Sequence, residues 1–361
     1  MLHKTLKCVP LAIWVIVPWT VRSANGQAVY WTQTGPPRGI YRADFDGSDA
    51  QEVFTAASPA ALAIDARGGK VYWRDGFNVR RGNVDGTQVE TLLSVGAFLG
   101  GLAVDGIAGK FYWLEYTRVG RANLDGSASE TVIQVVASNP ADIALDLLNG
   151  KVYWVWNEQD TIGGKFERCN LDGTGYEDVT PINREIPWAI ALDMSAGKMY
   201  WTDQISVTGA RVIRRANLDG SNGETLVVTD SDSDQLLGIA VDPRNSYVYW
   251  TEGPLDRIRR SNLDGSGEIT WLSGTNSPWA IDLLLPPIYA DIFPTGGNDV
   301  LDVDDILSVL DGFSDPGKFP EADVFPCNGN GLVDVDDILA ALDAFSGNPA
   351  CMWSNGMWVP S

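Results

Sequence analysis

The chain has 361 residues, of which 45% are hydrophobic and 20% charged, a composition typical of a folded globular protein. Its formal net charge of −21 at pH 7 repels phosphate backbones, so we expect no nucleic-acid partner. The single histidine is His3. Its position excludes Ser-His-Asp and Cys-His catalysis, and histidine-bound zinc or iron, from the remainder of the chain.

Residues 1–28 are predicted to be an export signal peptide. His3, Lys4 and Lys7 precede an apolar run over residues 8–21, and small residues follow at 24–28. The apolar run is shorter than the roughly 20 residues that a membrane-spanning helix needs. We therefore expect a secreted protein, extracellular or in the cell envelope, that does not span a membrane once the signal is removed. An uncleaved N-terminal anchor is the alternative.

Three signals then recur together about every 40 to 50 residues, a period typical of stacked or radial repeat folds. They are a Tyr-Trp pair, an arginine, and an Asp-Gly turn. The Tyr-Trp pairs begin at Tyr30, Tyr72, Tyr112, Tyr153, Tyr200 and Tyr249, and the arginines are Arg42, Arg81, Arg121, Arg168, Arg215 and Arg260. Because period-matched aromatic residues normally face a core, the pairs are predicted to be packing residues. The arginines are predicted to tie neighbouring turns together through carboxylates and carbonyls.

Each repeat divides into four short strand-like runs. Residues 62–65, before the second Tyr-Trp pair, exemplify the first run; the second contains the pair, the third ends in Asp-Gly, and the fourth is apolar. Asp-Gly is a strong hairpin-turn signal because glycine accepts a positive φ. Four antiparallel strands in each of six repeats predict an all-β, six-bladed β-propeller over residues 29–287.

The two ends of the repeat region indicate how the ring closes. Residue 29 begins directly on a second run, so the first blade lacks its first strand. Residues 277–281 resemble residues 186–190, which begin a first run. We therefore expect the segment 278–285 to supply the missing strand and to remove the open edges of the sheet.

These repeats resemble the six-bladed propeller of the low-density-lipoprotein-receptor class B, or YWTD, family. Tyr200-Trp201-Thr202-Asp203 is the complete motif, and the other five copies vary after the aromatic pair. The resemblance covers about residues 29–285 and implies a binding or scaffolding module without catalytic activity.

A recognition surface is expected where the inner strands begin beside the central channel. Two positions before the hydrophobic start of each first run, the six repeats carry Ala60, Gly100, Ala141, Trp188, Leu237 and Trp279. Trp188, Leu237 and Trp279 are the candidate ligand-binding residues, because exposed tryptophans act as hot spots for peptides or glycans. The alternative is that the tryptophans only cap the channel.

Residues 288–361 are predicted to form a small α-helical, calcium-binding module. They hold 13 acidic residues and one base, Lys318, for a net charge of −12. Residues 291–314 and 323–346 repeat each other without gaps, and each copy places oxygen-bearing side chains before an amphipathic helix, as a Ca²⁺ loop does. The predicted ligands are Asp291, Asn298, Asp302 and Asp305, then Asp323, Asn328, Asn330, Asp334 and Asp337. The alternative is an Asp-rich turn without metal.

This module resembles the type I dockerin, a paired EF-hand module of secreted bacterial proteins. The sequence departs from the dockerin pattern in two ways. The first ligand lies seven residues before Asn298 and Asn330, farther than in the usual loop, and the first copy has Asp299 at the sharp-turn position where the second copy has Gly331. The resemblance implies Ca²⁺ as cofactor and a cohesin-like partner.

Three cysteines lie beyond the signal. Cys169 occupies a repeat position that otherwise holds small residues, so it is predicted to be a packed thiol. Cys327 and Cys351 lie in the acidic module and are predicted to pair as a disulfide in an oxidising compartment.

These observations favour a secreted, non-enzymatic binding or scaffold protein. Its propeller recognises a protein or glycan, and its calcium-dependent tail docks to a partner. One alternative is a propeller hydrolase or lyase with a central metal held by carboxylates that include Asp282. The other is a purely structural matrix component.

Overall fold

The computed structural model describes residues 27–95, 99–135, 139–157, 163–181, 185–205, 208–229, 235–285, 351–354 and 357–360. Apart from a 3-10 turn at Gly253–Leu255, these residues form strands and the turns between them. None of them belongs to a helix long and apolar enough to cross a membrane.

The first twelve strands are β1 (Ala28–Gln33), β2 (Gly39–Ala43), β3 (Gln51–Thr55), β4 (Pro59–Asp65), β5 (Lys70–Asp75), β6 (Asn78–Asn83), β7 (Glu90–Ser94), β8 (Leu99–Asp105), β9 (Lys110–Glu115), β10 (Arg118–Asn123), β11 (Glu130–Gln134) and β12 (Pro140–Asp146). The next twelve are β13 (Lys151–Trp156), β14 (Lys165–Asn170), β15 (Glu177–Asp178), β16 (Ile186–Asp193), β17 (Lys198–Gln204), β18 (Arg211–Asn217), β19 (Glu224–Val228), β20 (Leu236–Asp242), β21 (Tyr247–Glu252), β22 (Arg257–Asn262), β23 (Ile269–Ser273) and β24 (Pro278–Leu284). A C-terminal hairpin follows, β25 (Cys351–Ser354) and β26 (Met357–Pro360).

Strands β1 to β24 form six four-stranded antiparallel sheets, which confirms the predicted six-bladed propeller. Blade 1 has the order β24-β1-β2-β3, and blades 2 to 6 are β4–β7, β8–β11, β12–β15, β16–β19 and β20–β23. The first strand of each blade contacts the first strand of the next, from β4 through β24 and back to β4. These six inner strands therefore surround a central channel.

Blade 1 is assembled from the two ends of the repeat region. Strand β24 pairs with β1 in the register Ala28↔Leu284, Tyr30↔Asp282 and Trp31↔Ile281. It occupies most of the predicted closing segment, 278–285. Because the ring has no open inner edge, the last strand of the repeat region cannot be lost without exposing β1.

The Tyr-Trp pairs form the core between blades, as predicted. The tryptophans of all six pairs and all six tyrosines are at most 2% exposed. Their aromatic contacts cross from one blade to the next; Phe54 of blade 1 stacks on Trp73 of blade 2 with ring centroids 4.6 Å apart. Large side chains at a fixed repeat position thus fill the wedge between adjacent twisted sheets.

The repeated arginines bridge blades, which confirms their predicted role. In blades 2 to 6 the guanidinium Nη1 donates to a turn carbonyl of the following blade, as Arg81 does to Leu124 O at 2.6 Å and Arg121 to Leu171 O at 2.7 Å. Arg81 also pairs with Glu90 of its own blade. The Asp-Gly turns that receive these arginines need glycine, because Gly86 and its equivalents have φ between 82° and 87°.

Blade 4 departs from the predicted pattern, because its fourth strand has only two residues, Glu177–Asp178. The Thr180 hydroxyl accepts the Phe166 N–H at 3.0 Å, a bond that a backbone carbonyl would accept if the fourth strand were longer. Pro181 follows and ends the strand, because proline cannot donate a backbone hydrogen bond. Cys169 in the same blade is a fully buried free thiol, as predicted, and burial raises its pKa to about 11.

The acidic module lies almost entirely outside the described residues. This applies to all nine predicted calcium ligands and to Cys327. Cys351 begins strand β25, which pairs with β26 in the register Met352↔Val359 and Trp353↔Trp358. The helices, the calcium loops and the disulfide of this module therefore stay predictions.

Candidate functional site

Each inner strand contains a β-bulge near its first residues, at the entrance of the channel. In blade 5, for example, Pro187 pairs with Asp203 and Ala189 with Thr202, so Trp188 between them has no partner on β17. Comparable register shifts occur in the other five blades. A bulge turns the extra residue out of the regular alternation, and here it directs one side chain per blade towards the channel entrance.

The third residue of the YWTD motif builds this bulge in three blades. Thr202 Oγ1 accepts the Ala189 N–H at 3.1 Å, and Thr251 Oγ1 accepts the Gly238 N–H at 2.8 Å while donating to Trp279 O at 2.6 Å. Thr32 makes the corresponding contact in blade 1. The motif therefore positions the bulge residues as well as the core, because its hydroxyl accepts a backbone N–H that the bulge frees.

The six bulge residues named by the sequence converge on one cavity of about 80 Å³, here called the channel mouth. They are Ala60, Gly100, Ala141, Trp188, Leu237 and Trp279. Trp279 is 39% exposed and Leu237 is 8% exposed, whereas Trp188 is intermediate. The structure thus brings all three candidate ligand-binding residues together on one side of the mouth, opposite the small residues of blades 2 to 4.

Two polar groups in the channel mouth are buried without a hydrogen-bond partner among the described residues. Asn157, at the end of β13, is 2% exposed; its backbone N–H donates to Asn139 O, but neither its amide nitrogen nor its amide oxygen has a partner. The indole N–H of Trp188 is in the same state. An unsatisfied buried polar group costs about 1–3 kcal/mol, so these groups favour a ligand or water that supplies partners.

A positive charge also lies at the channel mouth. Arg74 lines the cavity at the repeat position where blades 1, 5 and 6 carry the bulge-binding threonine. Burial lowers the pKa of its guanidinium, but an arginine stays protonated in proteins. With the Asn157 amide and the Trp188 indole, this entrance is rich in hydrogen-bond donors.

Two carboxyl groups lie further along the channel wall. Asp142 of blade 4 and Asp282 of blade 1 are on opposite blades, and both are partly accessible. Loss of solvent raises the pKa of Asp142 to about 7, with a further rise from the charge of Asp282, and it raises the pKa of Asp282 to about 6. Hydrogen bonds from backbone N–H groups oppose both shifts, so loss of solvent is the dominant effect.

The described residues do not support the central metal of the enzymatic alternative. Among them, no group of three or more histidine, cysteine, aspartate or glutamate side chains converges. Both oxygens of Asp282 accept backbone hydrogen bonds, from Ile64 and Leu283, each at 2.8 Å.

A larger cavity, of about 420 Å³, lies on the opposite side of the propeller between blades 4 and 5. Arg168 lines it and bonds to the Tyr153 hydroxyl, to Leu218 O and to Glu177. Because the same arginine contacts recur at the other junctions, we interpret this cavity as part of the blade architecture and not as a site.

Sequence reasoning identified the bulge residues but missed Asn157, Arg74 and Asp142. Aligning the repeats shows the signal for two of them, since Arg74 replaces threonine and Asp142 stands where other blades carry alanine or glycine. For Asn157 no such signal exists, because that repeat position has no common residue: the other blades carry Thr34, Gly76, Tyr116, Gln204 and Gly253.

Comparisons with known proteins agree with this architecture. No protein-family model matches the chain. Low-density lipoprotein receptor-related protein 1 of Pyricularia oryzae is 36% identical over 80 residues, which make up 19% of this chain and 26% of that protein. The chain therefore matches about a quarter of the length of this curated relative.

Solved structures show the same fold at low sequence identity. Nidogen, in the nidogen/laminin complex, superimposes with a TM-score of 0.63 and 20% identity over 72% of this chain and 99% of that chain. TolB from Acinetobacter baumannii gives a TM-score of 0.59 and 10% identity, covering 72% of this chain and 66% of that chain. The chain is thus an all-β, six-bladed propeller similar to that of nidogen.

Proposed function

We propose that this chain is a secreted, non-enzymatic recognition protein whose propeller binds a protein partner at the channel mouth. The observation that carries the proposal is the pair of buried, unpartnered polar groups, Asn157 and the Trp188 indole, in the cavity formed by the six bulge residues. The nidogen propeller was solved in complex with laminin, which supports a protein-binding role for this fold.

The size of the channel mouth favours one side chain of a protein over a free small molecule or a sugar ring. A cavity of about 80 Å³ is far below the roughly 300–1,000 Å³ of pockets that enclose a complete small ligand. An acceptor oxygen on the inserted side chain would accept the Asn157 amide N–H and the Trp188 indole N–H. The exposed face of Trp279 and the side chain of Leu237 would then pack against neighbouring residues of the partner.

A displayed random-peptide library tests this proposal. Peptides selected on the mature protein should share a side chain with an acceptor oxygen. Their affinity, measured by calorimetry, should fall about 10- to 100-fold in Trp188→Ala and Asn157→Leu, because hot-spot truncations cost about 1.4–2.8 kcal/mol or more.

Val228→Ala is the matched control, since Val228 is 60% exposed on the outer strand β19. Peptides that bind the two mouth variants as tightly as they bind the control would refute the proposal. A protein whose selected peptides all bind elsewhere would favour the purely structural alternative.

The acidic tail is proposed to bind Ca²⁺ and to dock the protein to a cohesin-like partner. Its support is the gapless repeat of oxygen-bearing residues and the net charge of −12 over residues 288–361. If EDTA leaves the helical circular-dichroism signal and the protease resistance of the tail unchanged, the calcium proposal is wrong.

A further inference from the structure

One threonine joins the bulges of blades 6 and 1. Thr251 lies on β21 of blade 6, and its Oγ1 accepts the Gly238 N–H of the same blade at 2.8 Å. The same hydroxyl donates to Trp279 O of blade 1 at 2.6 Å. A threonine hydroxyl can make both bonds at once, because it is a donor and an acceptor. Thr251 therefore bonds to the residue that follows Leu237 and to Trp279 itself, and these are two of the three candidate ligand-binding residues.

The peptide group that follows Trp279 is held at both of its polar atoms. Its carbonyl oxygen accepts the Thr251 hydroxyl, and its N–H, which belongs to Ala280, donates to Thr32 Oγ1 at 2.9 Å. Gly238 packs directly against this peptide group, since a Cβ added to Gly238 would lie 2.5 Å from Trp279 O and 3.1 Å from Ala280 Cα. Hydrogen bonds and close packing therefore restrict the backbone of Trp279 together.

The segment that leads into Trp279 is anchored to the same two blades. The Ser277 N–H donates to Asp256 Oδ1 of blade 6 at 2.7 Å, and Ser277 O accepts the Thr34 N–H of blade 1 at 3.1 Å. In a bulge the backbone decides the direction of the side chain. The indole of Trp279, which is 39% exposed, is therefore oriented by contacts within the propeller before any partner binds.

Trp188 is held in a different way. Thr202, at the corresponding position of blade 5, accepts the Ala189 N–H at 3.1 Å. Within the described part of the chain, however, the Thr202 hydroxyl makes no hydrogen bond to the bulge of the next blade. The link between two bulges through one hydroxyl is thus specific to Leu237 and Trp279.

We propose that Thr251 is a positioning residue, which makes Leu237 and Trp279 a single preformed surface for an apolar residue of the partner. This inference rests on the proposed function. A side chain that is already ordered in the free protein loses less conformational entropy on binding, and binding is stronger for that reason. Trp188 contributes to binding independently of Thr251, because the threonine contacts neither its backbone nor its side chain.

A double-mutant cycle on the full mature chain tests the inference. The probe is a peptide from the displayed random-peptide library whose affinity falls in Trp279→Ala. Thr251→Val removes the hydroxyl and keeps the shape of the side chain. We expect it to weaken binding of the peptide about 2- to 10-fold, as when one large side chain must be ordered on binding. The same substitution should have almost no effect in the Trp279→Ala background and its full effect in the Trp188→Ala background.

Thr251→Ser is the matched control, because it keeps the hydroxyl, and it should bind the peptide as tightly as the wild type does. A second measurement needs no ligand. The order parameter of the Trp279 indole N–H, measured by ¹⁵N relaxation, should fall in Thr251→Val, whereas that of Trp188 should stay the same. If Thr251→Val does not fold, Thr251→Ala takes its place, since it leaves space for a water at the Gly238 N–H.

Three results would overturn the inference: losses in Thr251→Val and Trp279→Ala that simply add, an unchanged order parameter of the Trp279 indole, or a loss in Thr251→Ser equal to that in Thr251→Val. If the selected peptides lose affinity in Trp188→Ala and Asn157→Leu but not in Trp279→Ala, the inference fails and the proposed function stands. If no selected peptide responds to any substitution at the channel mouth, both fail.

Discussion

Replacing Glu167 should test how the blades hold their buried tryptophans. Glu167 on β14 is 7% exposed, and its Oε2 accepts two indole N–H groups, from Trp154 at 2.8 Å and from Trp156 at 2.6 Å. Its Oε1 accepts the Tyr176 hydroxyl at 2.6 Å. One carboxylate therefore satisfies three donors, two of which have no access to water.

The expected cost follows from these contacts. In Glu167→Met the two indole N–H groups are left buried and unpaired, at about 1–3 kcal/mol each, while Tyr176, which is 52% exposed, turns to water. The free energy of unfolding should fall by about 4 kcal/mol, which lowers the melting temperature by roughly 8 °C or more in a domain of this size. Glu167→Gln is the matched control, because one amide oxygen at the Oε2 position keeps both indole bonds.

Differential scanning calorimetry of the three proteins at pH 7 measures the effect. The free energy of unfolding should fall in Glu167→Gln by less than about half of its fall in Glu167→Met, since only the charge and the tyrosine contact change. Equal destabilisation by the two substitutions would refute the reasoning, because the carboxylate charge and not the indole bonds would then stabilise the blade.

Three further predictions concern the fold itself. Because the pKa of Asp142 is raised from 3.8 to about 7 in the folded chain, ionisation of this group destabilises the fold as the pH rises between these values. The free energy of unfolding of Asp142→Ala, measured with urea, should therefore increase relative to that of the wild type by about 2–4 kcal/mol between pH 4 and pH 8. A difference that stays constant with pH would contradict this. Gly220→Ala should destabilise the protein by more than about 2 kcal/mol, because its φ is 82° and a Cβ would lie 2.1 Å from Val179 O, whereas Gly197→Ala, at φ 62° and with nothing within 4 Å, should cost only about 1 kcal/mol in thermal unfolding. The peptide that contains Cys169 should gain maleimide only after unfolding, as read by mass spectrometry, because the thiol is fully buried and its pKa is raised to about 11; labelling of the native protein would disprove the assigned packing.

Several features of the candidate site were predictable because they repeat. Trp188, Leu237 and Trp279 occupy one position in successive copies, and a position that repeats in sequence repeats in space around a ring. Arg74 and Asp142 were readable in the same way, as exceptions to the repeat. Their chemistry was not readable, since it depends on burial and on the residues of other blades.

The sequence by itself determined that six four-stranded blades close into a ring. Six copies of an aromatic pair, an arginine and an Asp-Gly turn specify four short strands each. Because the first copy lacks its inner strand, an extra strand is required from the other end of the repeat region. These are local signals of strand, turn and core, and each copy reports them independently of its neighbours.

Only the tertiary structure decided where the unsatisfied polar groups lie. Asn157 directly follows β13 of blade 4, and Trp188 lies on a bulge of blade 5, so no short stretch of sequence holds the two together. They meet because closure of the ring brings one end of all six blades to a single opening. A group there is left without a partner only when every surrounding blade has failed to supply one, and that is a property of the assembled ring.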